Sequence, residues 1–329
     1  MITEEKYKKL YNKERQIIDT RLASLLKNRK PESLYEPSAY LLGNPGKRIR
    51  PFLTLLSAKA AGSSFGKVYN AALAIEMLHT FTLAHDDIMD NADKRRGHLT
   101  LHKKYDLSTA ILAGDSLLSI AYEYLLKDLG KDAKPVIATF TRSLIEVCEG
   151  QSLDKEFEVM KTVSLPLYTE MITKKTAIML ETCCTVGAQI AGASPAVVKA
   201  LSGFGKNIGI AFQIQDDLLD IAGDEKSFGK NIGGDLVEGK KTYLFIKALE
   251  KADAKSKPYF TCMIKNKGIA PAEIPFYKNL YQELGVLEDA QKAISAYTNK
   301  ALKNLTVIQD EDNRDLLIRL ANHLIKRTN

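Results

Sequence analysis

The sequence predicts an all-α protein, a single-domain bundle of antiparallel helices around a deep central cavity. Three observations lead there. Apolar residues recur at three- and four-residue spacing through most of the chain, the period of a helix with one buried face. No segment carries a convincing strand signal. No Gly/Ser run, Pro-rich spacer or low-complexity tract divides the 329 residues, and the ten prolines and twenty glycines are scattered. A chain this long, with 45% hydrophobic residues, can bury a large core.

Taken in order, residues 3–28 read as a helix of mixed charge, broken by Pro31, Pro37 and Gly43-Asn44-Pro45-Gly46. Lys47, Arg48 and Arg50 then crowd into a turn before an apolar helix, Phe52 to Ala61, with Pro51 suited to its first position. Cations at a helix N-terminus oppose the macrodipole, so the cluster points to a bound anion. Residues 68–90 form one long apolar-periodic segment, and 108–130 and 133–160 read as further helices, the second punctuated by Gly150-Gln151. Pro166 opens a helix that carries Lys174-Lys175-Thr176 into an apolar body ending near Ala193. Residues 196–222 are helical again, and 243–253, 272–304 and 310–327 close the bundle. Residues 223–242 are rich in glycine and lysine, with Lys230 and Lys240 each after a glycine, and read as a mobile lid whose lysines reach a bound anion.

The chemistry sits where the acids break the apolar pattern. Asp86, Asp87 and Asp90 lie at the end of the 68–90 segment, with Asp86 and Asp90 at i, i+4 on one helix face. Asp216, Asp217 and Asp220 repeat the pattern, three, four and seven residues after Gln213. Like charges this close destabilise a helix unless a cation joins them. Oxygen-only ligands favour Mg²⁺ over Zn²⁺. An EF-hand is excluded because its glycine and late glutamate are missing. Four of the five histidines lie between 79 and 102, but their spacing makes no zinc site. His79 stands apart, seven residues before Asp86 and so on nearly the same face.

The formal charge of +7 comes from basic residues interspersed with acidic ones, the pattern of solvated helix surfaces with some attraction for small polyanions. No basic stripe is interleaved with aromatics and there is no Trp, so no nucleic-acid partner is expected. Cys148, Cys183, Cys184 and Cys262 have no metal spacing and suit a reduced, cytoplasmic protein. The charged N-terminus lacks a signal-peptide apolar region, and no stretch is apolar for long enough to make an integral membrane segment.

Two Asp-rich faces opposed across a bundle would hold several Mg²⁺ ions against a diphosphate, helped by Arg95, Lys175, Lys230 and Lys240. Lys47, Arg50, His79 and Arg96 would hold a second anion. An allylic diphosphate losing its leaving group there would give a carbocation that needs an apolar, water-free pocket. From Gly46 to Thr242 the chain resembles the all-trans isoprenyl (polyprenyl) diphosphate synthases. The resemblance rests on Gly46-Lys47-Arg48-Ile49-Arg50-Pro51, Asp86-Asp87-Ile88-Met89-Asp90, Arg95-Arg96-Gly97, Gln213 to Asp220 and the Gly-Lys pairs ending at Thr242. It departs at Leu99, where the family often has Pro, and after Thr242, where Tyr243-Leu244-Phe245-Ile246 stands in a stretch that commonly contains a Pro.

The resemblance implies the type I isoprenoid synthase fold, a homodimer, and head-to-tail condensation of isopentenyl diphosphate with dimethylallyl, geranyl or farnesyl diphosphate. It implies Mg²⁺, three ions with substrate bound, with Mn²⁺ as a substitute. It assigns Lys47, Arg50, His79 and Arg96 to isopentenyl diphosphate and Arg95, Lys175, Lys230 and Lys240 to the allylic diphosphate. Asp86, Asp87, Asp90 and Asp216 become metal ligands, with Asp217 and Asp220 acting through waters. Lys175, Thr176 and Gln213 face the reacting centre, the last two lining it with oxygen dipoles. Thr82 lies one turn below Asp86 and Phe81 a little deeper, about 7.5 Å along the helix. Bulk there makes a floor, which favours geranylgeranyl diphosphate as product, with farnesyl diphosphate or a longer chain as alternatives. A class I terpene cyclase would have no use for Lys47, Arg50 and His79. A non-catalytic regulatory subunit would lose metal ligands, and all six aspartates are present.

Overall fold

The computed structural model describes residues 2–130, 133–223 and 232–325, and most of these are helical. In chain order come α1 (Glu4–Leu25), α2 (Glu32–Gly43), α3 (Ile49–Ala60), α4 (Tyr69–Met89), strands β1 (Lys94–Arg95) and β2 (His98–Leu99), α5 (Leu101–Lys104), α6 (Leu107–Lys127) and α7 (Lys134–Val159). Then follow α8 (Leu165–Ile172), a π turn (Thr173–Ala177), α9 (Ile178–Ile190), α10 (Pro195–Ala222), α11 (Gly234–Val237), α12 (Tyr243–Lys251), α13 (Lys257–Asn266), α14 (Ile274–Glu283), α15 (Val286–Asn304) and α16 (Glu311–Ile325). The all-α expectation is borne out. None of the described helices is long and apolar enough to cross a membrane.

Two compact units share the chain. The first comprises α1 to α6, α7 up to Leu144, α9 from Met179, α10 up to Ser202 and α16 up to Leu320. Its tightest pairing is α4 with α6, and small residues allow it. Ala71, Ala72 and Ala74 on α4, and Ala110, Ala113 and Ala121 on α6, are all fully buried. Beside them pack Phe52, Leu53, Leu55 and Leu56 of α3 and Ile18 and Leu22 of α1.

The second unit holds the rest of α7 and α10, together with α8, the π turn and α11 to α15. Its core is more aromatic. Phe260 meets Phe245 edge-on at 6.0 Å and stacks on Tyr281 at 6.2 Å, above Ile210, Ile214 and Val286.

Several boundaries differ from the expected ones for physical reasons. Pro37 does not break the chain: α2 runs through it, and the burial of Pro37, Ser38, Leu41 and Leu42 offsets the backbone bond that a mid-helix proline forfeits. The apolar helix after the cationic turn starts earlier than expected, at Ile49, with Arg48 as its left-handed cap at φ +48°. The expected 272–304 helix is two helices parted at Gly285, whose φ is +65°. Helix α13 was not expected, nor was the small hairpin. That hairpin pairs Lys94 with Leu99 and Arg95 with His98 around Arg96-Gly97, both at positive φ, the backbone of a type I′ turn.

Candidate active site

In the first unit, α4 delivers its carboxylates in its last turn. Asp87 is buried, Asp86 is half-buried, and Asp90 is the exposed C-cap, whose N–H donates to the Asp86 carbonyl. The helix dipole is negative at this end, so three acids here demand a cation. Arg95 supplies one: its Nε donates to Asp87 at 2.6 Å and an Nη to Asp86 at 3.2 Å. Burial pushes the Asp87 carboxyl up, and Arg95 draws it back down.

The type I′ turn sends the next arginine elsewhere. Arg96 donates to the Pro45 carbonyl at 3.0 Å, within the turn that carries Lys47. A cleft open to solvent is lined by His79, Leu83, Asp87, Arg95 and Arg96 among others. Beneath it Arg48, 6% exposed, anchors the cationic turn. It donates to Asp19 at 2.7 Å, to Glu76 at 2.8 Å, and to the carbonyls of Leu42 and Asn44 at 3.0 Å each. The Tyr11 hydroxyl also donates to the Lys47 carbonyl. Sequence reasoning left Arg48 without a separate role. Its ion pairs to Asp19 and Glu76 anchor the turn between Lys47 and Arg50, and no local signal distinguishes it from its two basic neighbours.

His79 is enclosed beside these cations. Loss of water, then Arg50, Arg96, Arg95 and Arg48, lower its pKa well below the usual 6.5, so the ring is neutral and offers a single N–H. The linkage sign follows. The unfolded chain protonates this imidazole first as pH falls, so stability is intact above about 6.5 and is lost as pH drops through that value towards the lower folded pKa. His79→Gln is expected to flatten the acid loss of stability between about pH 7 and pH 5. Urea midpoints of parent and variant at each pH measure it, and identical slopes would contradict the placement.

Phe81 is buried between α4 and α6, with the His85 ring 4.6 Å away. A Cβ on Gly114 of α6 would come within 2.6 Å of His85 and 3.6 Å of Phe81, so the pair is wedged against bare backbone. The Thr82 hydroxyl donates back to the His79 carbonyl at 2.8 Å.

In the second unit, α10 presents the other acids in its final turns. Asp216 is half-buried, while Asp217 and Asp220 are 4% and 7% exposed. Asp217 accepts from the Tyr168 hydroxyl at 2.6 Å, the Tyr243 N–H at 3.0 Å and Gln213 Nε2 at 3.0 Å. Its carboxyl is pushed up to about 7 by burial and by Asp235, against the pull of those donors. Asp220 accepts from the Asp235 N–H at 3.1 Å. Thr176 donates to Gln213 at 2.9 Å. Lys175 pairs with Asp154 at 2.6 Å, and Lys240 with Glu238 at 2.8 Å and Asp235 at 3.7 Å. Lys230 and most of the expected lid before Ile232 lie outside the described residues. Tyr168, Asp154 and Asp235 were not singled out from sequence. Tyr168 lies 49 residues from Asp217, Asp154 21 from Lys175 and Asp235 15 from Asp220, where no periodicity links them.

Lys175 and Thr176 fall in the π turn, where a helix gains one residue per turn and re-aims its side chains. Gly150 of α7 makes room for it: a Cβ there would lie 2.3 Å from the Lys175 nitrogen.

The acids fit a hard divalent cation. Every donor is a carboxylate oxygen, both sets sit at negative helix ends, and Asp86 and Asp87 already converge on one cationic group, the Arg95 guanidinium. Among the described residues, no three His, Cys, Asp or Glu side chains stand close enough to hold an ion as placed.

A family model described as Polyprenyl synthetase matches residues 31–282. The geranylgeranyl pyrophosphate synthase of Geoglobus acetivorans is 40% identical over 318 residues, covering 94% of this chain and 96% of that protein. The short chain isoprenyl diphosphate synthase of Methanothermobacter thermautotrophicus is 37% identical over 316 residues, covering 95% and 96%. Among solved structures, the geranylgeranyl pyrophosphate synthetase from Pyrococcus horikoshii matches with a TM-score of 0.90 at 35% identity over 98% of both chains. The Asp-rich helix ends, the basic turn and these likenesses agree: the chain belongs to the polyprenyl synthetase family and is a prenyltransferase.

Proposed function

We propose that residues 1–329 act as one synthase domain that condenses isopentenyl diphosphate with an allylic diphosphate, giving geranylgeranyl diphosphate. The observation that supports it best is the divergence of adjacent arginines. Arg95 turns to the Asp86–Asp87 pair and Arg96 to the basic turn at Pro45, so two anion sites stand side by side. A transfer between two diphosphates needs both, whereas a cyclase needs one.

In this reading Arg96, Lys47, Arg50 and neutral His79 hold isopentenyl diphosphate. Arg95, Lys175, Lys240 and Lys230 take the allylic diphosphate. The acids Asp86, Asp87, Asp90, Asp216 and Asp220 would hold Mg²⁺, which when bound supplies Lewis-acid stabilisation of a departing diphosphate. Asp217 has a separate role, argued below. The ion pairs of Lys175 with Asp154 and of Lys240 with Glu238 keep those lysines extended and charged until substrate replaces the partner. Loss of diphosphate leaves an allylic cation, lined by the oxygens of Thr176 and Gln213. The double bond of isopentenyl diphosphate attacks it, and the adjacent carbon loses a proton to the released diphosphate.

A homodimer is supported by α6, which exposes Leu107 at 53%, Ile111 at 40% and Leu112 at 60% along one stretch, apolar area that a second copy would cover. A reducing, cytoplasmic setting is supported by the four free cysteines.

The test is incubation with Mg²⁺, isopentenyl diphosphate and each of three primers, with products read by mass spectrometry. A twenty-carbon diphosphate is expected. A cyclic hydrocarbon, or no condensation with any primer, would sink the reading. A fifteen-carbon end product would replace the product assignment. Phe81→Ala opens the wedge over Gly114 and is expected to shift the main product at least one isoprene unit longer. An unchanged product distribution would remove Phe81 as the floor.

A further inference from the structure

We propose that Asp217 is a positioning residue, not a metal ligand: through Gln213 it sets the direction in which the Thr176 hydroxyl dipole points. The inference rests on the reading above, in which Thr176 and Gln213 line the cationic centre. It comes from a chain of four hydrogen bonds whose directions follow from the fixed donors once Asp217 is a carboxylate.

The backbone N–H of Tyr243 can only donate, and it meets Oδ2 of Asp217 at 3.0 Å. The Tyr168 hydroxyl meets the same oxygen at 2.6 Å and must donate to a carboxylate, which only accepts. The other oxygen, Oδ1, faces Gln213 at 3.0 Å, so Gln213 must turn its NH₂ that way. That leaves Gln213 Oε1 towards Thr176, 2.9 Å away, and an amide oxygen only accepts. The Thr176 hydroxyl therefore donates to Gln213, and its lone pairs point away from the amide. A flipped Gln213 would set oxygen against carboxylate oxygen. The amide orientation thus follows from the network itself. With the hydroxyl proton committed to Gln213, Thr176 presents the negative end of its dipole elsewhere, the end that a developing carbocation attracts.

A carboxylate with three protein donors on its two oxygens is also poorly placed to ligate a cation. The half-buried Asp216 next to it is better placed, with more access to solvent.

Asp217→Asn makes the claim testable with one heavy atom changed. The Tyr243 N–H and Tyr168 hydroxyl still require an oxygen, so the NH₂ of the new amide must face Gln213. Gln213 then flips to accept, its NH₂ faces Thr176, and the Thr176 proton is driven to the opposite side. The relay keeps its shape and reverses its polarity. Adding Gln213→Glu repairs it: the carboxylate introduced there accepts from the new amide with one oxygen and from Thr176 with the other, with net charge restored.

Wild-type single turnover of the allylic substrate with isopentenyl diphosphate comes first. If the wild type does not condense them, the proposed function itself fails, independently of Asp217. In Asp217→Asn the single-turnover rate is expected to fall about 10²-fold, the scale of misdirecting one preorganised dipole. Both substrate KM values and the Mg²⁺ half-saturation should stay within about threefold, since neither diphosphate nor metal contacts change. The double variant Asp217→Asn/Gln213→Glu should recover at least about tenfold of the loss. Circular dichroism melts accompany each variant, and should Asp217→Asn alone not fold, the rate of the folded double variant decides. An unaltered rate in Asp217→Asn, a loss cured by raising Mg²⁺, or a folded double variant that recovers nothing would each overturn the proposal.

Discussion

Asp86→Asn is expected to lower turnover about 10³-fold and to leave thermal stability nearly unchanged. The two effects separate because they draw on different interactions. In the folded protein without substrate, Asp86 pairs with Arg95 at 3.2 Å, a partly shielded contact. Such a pair contributes about 0.5 kcal/mol. Against it stands the cost of a negative charge in the last turn of α4, also about 0.5 kcal/mol. The terms cancel, and Arg95 keeps its shorter bond to Asp87 at 2.6 Å. Catalysis has no such cancellation. If Asp86 helps to hold the cation that neutralises the allylic diphosphate, losing its charge removes stabilisation present only as the leaving group departs, about 4 kcal/mol. Steady-state rates at saturating Mg²⁺, read beside melting temperatures, test both halves. Wild-type turnover in Asp86→Asn would remove Asp86 from the machinery. A large drop in melting temperature would show that its role is structural.

How much of this was legible in the sequence depended on how local each feature is. The helices around residues 4–25, 69–89, 107–127, 134–159 and 195–222 lie within a few residues of where periodicity put them, because each buries a face of its own. Features made by contact between distant elements were not legible. The π turn at Thr173–Ala177 reads as plain helix, since the residue that shapes it, Gly150, is on another element. Helix α13 was missed because Lys257, Pro258, Lys265 and Asn266 dilute a pattern that only Phe260 and Met263 anchor in the core. In the site, residue types announced charge but not direction. The family resemblance divides Arg95 and Arg96 between two diphosphates, but the physical cause, the positive φ at Arg96 that turns it to the basic turn, is not written in the two residue types. Likewise Asp216 and Asp217 flank the Gln213 face at i+3 and i+4, and what sets Asp217 apart is Tyr168 and Tyr243, which periodicity cannot place beside it.

Gly150→Ala is expected to damage fold and chemistry together, in contrast to Asp86→Asn. Alanine in mid-helix normally gains about 1 kcal/mol over glycine. Here its Cβ would lie 2.3 Å from the Lys175 nitrogen and 2.7 Å from both the Lys174 carbonyl carbon and the Lys175 Cα. All three are backbone atoms, so no rotamer change relieves the clash, and α7 and the π turn must separate. Overpacking of this kind costs about 3 kcal/mol, so the clash outweighs the propensity by about 2 kcal/mol. For a chain of this size that is a fall of about 3 °C in melting temperature. The same displacement moves Lys175 from Asp154 and Thr176 from Gln213, groups that the proposed function assigns to the allylic centre. A shift of about 1 Å there can reduce turnover about 10²-fold. Gly66→Ala is the control, because its Cβ would meet nothing nearer than Ser64 Oγ at 3.8 Å. It should leave both quantities near the parent's. Calorimetry and turnover on the two variants decide the matter: a Gly150→Ala protein as stable and active as Gly66→Ala would mean that the close approach of α7 to Lys175 neither supports the π turn nor aims its side chains.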